Sequence, residues 1–228
     1  MKMKFRNIPI LFVLFLMPLV AHSQDDTGNW IMYFGTNRVS DAFSIHTEVQ
    51  YRNHTIAPVN IEQLLLRTGV NYHFAKNAFA TMGYAYIGNH LYESERSSPE
   101  VEEHRIWQQL ITTNILGRVK FEHRYRIEER FVERDFKTRF RYRLMLFIPL
   151  NKPEMTTGTF FAGVYDEIFI NGEEELFDRN RLYGGFGYQF SKNLNIQTGL
   201  LYQRVRTTGK AFLQFGIVYN TDLRKEKT

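Results

Sequence analysis

A period-two alternation of bulky apolar and charged residues, repeated along most of the chain, does most to limit the folds open to it. Phe121-Glu122-His123-Arg124-Tyr125-Arg126-Ile127-Glu128 alternates in this way, as does Phe136-Lys137-Thr138-Arg139-Phe140-Arg141-Tyr142-Arg143-Leu144. A β-strand sends successive side chains to opposite faces, so each segment has one apolar-aromatic face and one ionic face. A soluble protein cannot bury the ionic face, and a lipid-facing wall cannot expose it. Charges turned toward hydrocarbon would cost about 2–4 kcal/mol each near the midplane. The inexpensive solution is an all-β fold, an antiparallel transmembrane up-and-down β-barrel with grease outside and a charged lumen. A soluble lipocalin-like barrel is the alternative fold.

Strand candidates fall at about 30–38, 43–53, 61–74, 79–91, 102–116, 119–131, 136–149, 159–170, 180–190, 194–206 and 210–220. Tight turns are expected at Val39-Ser40-Asp41, Ala75-Lys76-Asn77, Leu116-Gly117-Arg118, Asn151-Lys152-Pro153 and Ser191-Lys192-Asn193. Longer polar connections are expected at 53–58, 93–100 and 171–175. Short turns on one side and long loops on the other are the outer-membrane pattern. A bacterial single-chain barrel is expected to have an even strand count with both termini periplasmic. Segments 43–53 to 210–220 supply ten strands, which leaves 30–38 as an extra one. The expectation is therefore 10 to 12 strands.

The apolar rows include Phe43, Ile45, Val49 and Tyr51, then Phe140, Tyr142, Leu144, Leu146 and Ile148, and later Leu213, Phe215, Ile217 and Tyr219. The opposite rows supply a candidate lumen ionic network of Glu48, Arg52, Glu103, Arg105, Glu122, Arg124, Arg126, Glu128, Arg130, Arg139, Arg141, Arg143, Asp166, Glu167, Arg179 and Arg181. Basic residues outnumber acids between 122 and 143. Carboxylates must therefore come from other walls, with Glu48, Glu103 and one of Asp166 or Glu167 as donors. Asp166 and Glu167 are adjacent, so a regular strand points one of them at lipid. A β-bulge with inward pairing is the expected remedy, and a carboxylate centre held by Arg179 and Arg181 is the alternative.

Residues 1–23 read as a cleaved signal peptide. Lys2, Lys4 and Arg6 precede an apolar run from Ile8 to Val20, and Ala21-His22-Ser23 fits the cleavage pattern. Residues 24–228 then form one barrel domain. The net charge of +5 includes the three basic residues of the signal. The mature chain is thus nearly balanced, and no nucleic-acid partner is implied. The chain has no cysteine, and after residue 23 no apolar stretch is long enough for a helical span.

Five segments carry a family resemblance. They are the signal peptide, Glu102-Glu103-His104-Arg105-Ile106-Trp107-Gln108-Gln109, Glu122-His123-Arg124-Tyr125-Arg126-Ile127-Glu128-Glu129-Arg130, Tyr165-Asp166-Glu167-Ile168-Phe169-Ile170-Asn171, and Asp178-Arg179-Asn180-Arg181-Leu182-Tyr183-Gly184-Gly185. Together they resemble the Gram-negative family of outer-membrane barrels known as domain of unknown function 2490, over essentially the whole mature chain. The resemblance implies fold and location and transfers no catalytic residue.

The arginine-rich rows favour a structural salt-bridge network over an anion-selecting pore, since arginine forks pair well with carboxylates. Ser44, His46 and Glu48 share one strand face, but no oxyanion-hole signature accompanies them, so a membrane-embedded lipid hydrolase ranks third. No cofactor or metal site is expected, because the seven histidines show no ligand spacing. Trp30 and Trp107 are expected in a girdle or as lumen packing. The expected partners are outer-membrane lipid and, for a pore, a small anionic solute. Protein partners are not specified by the sequence.

Overall fold

A computed structural model describes residues 27–58, 60–92, 98–173 and 175–224. The expected signal segment therefore lies outside the described residues, as does much of the 93–100 connection. The chain forms eleven strands: β1 (Gly28–Arg38), β2 (Phe43–Asn53), β3 (Ile61–Ala75), β4 (Ala78–Asn89), β5 (Val101–Leu116), β6 (Val119–Val132), β7 (Asp135–Pro149), β8 (Thr159–Asn171), β9 (Phe177–Gln189), β10 (Leu194–Val205) and β11 (Thr208–Asp222). Each strand pairs with its chain neighbours, and β1 pairs with β11 to close the barrel. A closed ladder leaves no strand edge unpaired.

The alternation sets this arrangement strand by strand. On β7, Arg139, Arg141 and Met145 are buried, while Phe140 is exposed and Tyr142, Leu144 and Leu146 lie on its outward parity. On β3, Leu65, Arg67, Gly69 and Asn71 are buried while Leu66, Thr68, Val70 and Tyr72 are exposed. The inward and outward rows read from the sequence are observed, except that Asp166, expected in the interior, is exposed on β8. Exposed apolar side chains circle the wall, among them Ile31, Val49, Val70, Met82, Leu110, Ile127, Phe140, Val164, Phe186, Leu200 and Phe215.

The strand count is odd. In an up-and-down meander with an odd number of strands, the first and last strands run the same way. The β1–β11 seam is accordingly parallel, from Gly28↔Phe212 to Arg38↔Asp222, and every other pairing is antiparallel. Segment 30–38 is thus part of the wall and closes it. The start of β1 and the end of β11 lie at opposite ends of the barrel, which corrects the expectation that both termini share one side.

One end, the loop end, carries the connections 54–60, 90–100 and 172–176, as expected. It also carries two-residue turns at 133–134 and 206–207, where Glu133 and Arg206 adopt left-handed φ values of 52° and 51°. At the far end, the turn expected around Asn151-Lys152-Pro153 is a loop over 150–158. It is tied by Asn151, which donates to the Gly158 carbonyl and accepts from the Phe160 amide. Short and long connections therefore do not divide cleanly between the two ends.

Aromatic side chains group on the outer wall near the far end. Phe43 packs on Tyr72 at 5.3 Å between centroids, and Tyr188 packs on both Phe160 and Phe190 at 4.6 and 4.7 Å. Inside, Trp107 lies over two glycines. A Cβ on Gly83 would sit 2.6 Å from the indole, and one on Gly69 would sit 3.0 Å from it. Only glycine lets that ring lie flat on the wall.

Candidate functional site

The most densely organised chemistry is in the barrel interior. Strands β5 to β8 bring their inward arginines and glutamates together. Glu128 is the hub, with 0 % of its surface exposed. Its carboxylate accepts from Arg139 and Arg141, both at 2.6 Å. Arg105 and Arg126 stand 3.6 Å away, and Arg67 stands at 3.9 Å. A buried carboxylate survives only with such pairing, because the desolvation cost of the charge is otherwise uncompensated.

The remaining pairs surround this hub. Glu167 accepts from Arg124 at 2.6 Å and Arg141 at 2.7 Å. Glu103 accepts from Arg105 at 2.6 Å and Arg130 at 2.5 Å. Glu122 accepts from Arg143 at 2.6 Å. Glu48 accepts from Arg67 at 2.8 Å and from Gln50 at 2.5 Å, and lies 3.1 Å from the His46 ring. Arg126 donates to Gln109 at 2.7 Å and covers the Trp107 ring at 4.7 Å. Two members go beyond the expected set, Arg67 and Asp178. Arg67 lies on the inward row of β3. Asp178 escapes a parity reading because the register shifts between Phe169 and Ile170. That irregularity lets Asp178 accept from both Arg139 and Arg179 at 3.0 Å.

The irregularity lies after Phe169 and not at Asp166–Glu167, where pairing with β7 is regular. Glu167 therefore faces inward and Asp166 is exposed on the outer wall, where it accepts from Asn180 at 3.0 Å. The expected bulge with inward pairing is corrected. So is the alternative centre held by Arg179 and Arg181, since those residues hydrogen-bond to Asp178 and Gln203.

The Ser44 row also differs from a nucleophile arrangement. Ser44 is fully buried and hydrogen-bonds with His73 at 2.8 Å and Asn71 at 2.9 Å, while His46 is directed to Glu48. No hydrogen bond joins Ser44 to His46. Trp30 and Trp107 both face inward, which decides between the girdle and packing readings.

A cavity of about 930 Å3 remains in the interior. Its lining runs from Asn89, Val101 and Val132 near the loop end to Thr36, Asn195 and Asn220 near the far end. Eleven arginines and Lys120 line it against five glutamates, and Glu128 and Asp178 add two further carboxylates behind the lining. The interior therefore carries a surplus of positive charge. Several buried donors have no acceptor, including Trp30 Nε1, Trp107 Nε1, Arg126 Nη1 and Gln214 Nε2. Orphan acceptor oxygens also occur nearer the loop end, on Asn53 and Glu62. No group of histidine, cysteine and acidic residues suited to a metal is present among the described residues.

These features define a class, the closed β-barrel with a buried ion-pair network inside and an apolar exterior. The chain belongs to the family described as Protein of unknown function (DUF2490), whose family model matches residues 27–214. No curated protein and no solved structure matches it.

Proposed function

We propose that this protein is exported, cleaved after its signal peptide, and spans an outer membrane as a β-barrel with a structural or interaction role and no catalytic activity. The observation that carries this reading is the radial inversion of the fold. Apolar side chains are exposed around the wall while arginine–glutamate pairs are buried inside. Water-soluble barrels have the opposite order, and a lipid annulus is the environment in which this one is inexpensive. The aromatic grouping near the far end fits an interfacial girdle. Cell fractionation tests the reading. The protein should be recovered with detergent-extractable outer membranes and show heat-dependent gel mobility, whereas recovery from the soluble periplasm would overturn it.

The ion pairs thicken the β2–β8 wall and narrow the lumen, so reconstituted protein should show little steady conductance. The continuous cavity and its surplus of positive charge favour a second reading, a narrow anion-selective channel. A stable anion-preferring conductance in planar bilayers would put that reading first.

A further inference from the structure

Two interior arginines have amide acceptors but no carboxylate at ion-pair distance among the described residues. Arg52 on β2 and Arg181 on β9 flank the sector formed by β10, β11 and β1, whose inward rows are uncharged except for Lys210 near the loop end and Arg38 and Asp222 at the far end. Both guanidinium groups stack over the Trp30 ring, 3.9 and 4.8 Å from its centroid. Neither forms an ion pair with a carboxylate among the described residues. Arg52 donates to Gln50 and Gln63, and Arg181 donates from Nε to Gln203 at 2.8 Å. Glu62 is near enough to offset part of the Arg52 charge and Glu167 part of the Arg181 charge, but neither carboxylate comes within ion-pair distance of them.

Two further donors stand between these arginines. Trp30 and Gln214 are register partners across the β1–β11 seam. Their Nε1 and Nε2 groups are buried without an acceptor. Trp30, Gln214 and Arg181 are only 3 %, 4 % and 7 % exposed, and together with Arg52 they line the cavity. Two close cations and two orphan donors in a poorly hydrated interior are costly unless a negative, acceptor-only group meets them.

We propose that Arg52, Arg181, Trp30 and Gln214 form a binding site for a tetrahedral oxyanion, phosphate either free or as the terminal group of a monoester. The donors come from four strands, β1, β2, β9 and β11, so an anion that presents oxygens in several directions suits them better than a planar carboxylate, and arginine forks match phosphate geometry. The site rests on interior geometry alone and stands independently of the membrane in which the barrel resides.

The test is equilibrium dialysis of labelled inorganic phosphate against the mature protein folded in detergent micelles, with folding scored by heat-dependent gel mobility. Saturable binding of one phosphate per chain is expected, competed by glycerol 1-phosphate. Arg181→Gln and Arg52→Gln should each weaken it by about tenfold or more, the scale of one charge-assisted hydrogen bond. Arg118→Gln at the far end should change it by less than about twofold. If an arginine variant does not fold, Gln214→Leu serves in its place and should weaken binding severalfold. Tighter competition by the monoester assigns the site to esterified phosphate, and the converse assigns it to the free ion. Absence of saturable binding by the folded protein, or undiminished binding by a folded Arg52→Gln/Arg181→Gln double variant, would overturn the proposal.

Discussion

From β5 to β8 the barrel interior is bound together by carboxylates shared among arginines, whereas from β10 through β11 to β1 it holds amides, glycines and rings. In the first sector each carboxylate has more than one cationic neighbour or a short single partner, as Glu128, Glu167 and Glu122 show. In the second, Trp30, Tyr183, Leu201 and Phe212 form a small buried apolar cluster, with β9 contributing Tyr183. The Tyr165 and Tyr183 rings stack at 4.9 Å on its border. One interior is thus supported in two ways. The ionic sector is rigid but sensitive to the loss of any one charge, because each removal strands its partners. The neutral sector should tolerate substitution better, and at its borders Arg52 and Arg181 are left with donors to spare.

The largest effect should separate these two sectors. Glu128→Gln leaves up to five arginines around an uncharged amide and should cost about 3–5 kcal/mol of stability, the scale of breaking a buried ion pair. Gln197→Leu on β10 should stay within about 0.5 kcal/mol. Urea unfolding in detergent micelles compares them, and equal losses would erase the distinction between the sectors.

A second comparison sets the inner wall against the outer. Leu146→Arg places a charge on the outward row between Phe121 and Val164 and, if that row meets lipid as proposed, should cost about 2–4 kcal/mol in assembly. Arg143→Leu removes a half-buried partner of Glu122 and should cost less. Folding yields into lipid vesicles read the order directly, and the reverse order would invert the assignment of the faces. A smaller effect is expected at Asp166, a carboxylate exposed on the outer wall with only Asn180 as its partner. Asp166→Leu should raise stability by about 1 kcal/mol or less. A loss instead would mean that the outer wall meets a polar partner there.

Much of this molecule is legible in its sequence because a period of two leaves no freedom once one face is known. Rows such as Glu122-Arg124-Arg126-Glu128-Arg130 and Arg139-Arg141-Arg143 meet in the order that their alternation requires. Parity fails where the ladder is irregular. Asp178 joins the network only through the register shift beside Phe169, and no local pattern in 159–170 marks which carboxylate of Asp166-Glu167 points outward. The parallel seam is also hidden, since alternation in 30–38 is the same for a parallel or an antiparallel neighbour. Nor does the sequence show that Trp107 lies on Gly69 and Gly83, because that contact depends on strands β3, β4 and β5 being brought into register.

On the proposed reading, hydrocarbon surrounds this wall and the charges are inside. Spin labels attached at Leu144→Cys and Arg143→Cys test it in a chain with no cysteine of its own, by collision with oxygen and with a water-soluble nickel chelate in lipid vesicles. The label at position 144 should be oxygen-accessible and shielded from nickel, and the label at 143 should show low oxygen accessibility. Nickel access at 144 equal to that of a label in the 54–58 loop would contradict the account.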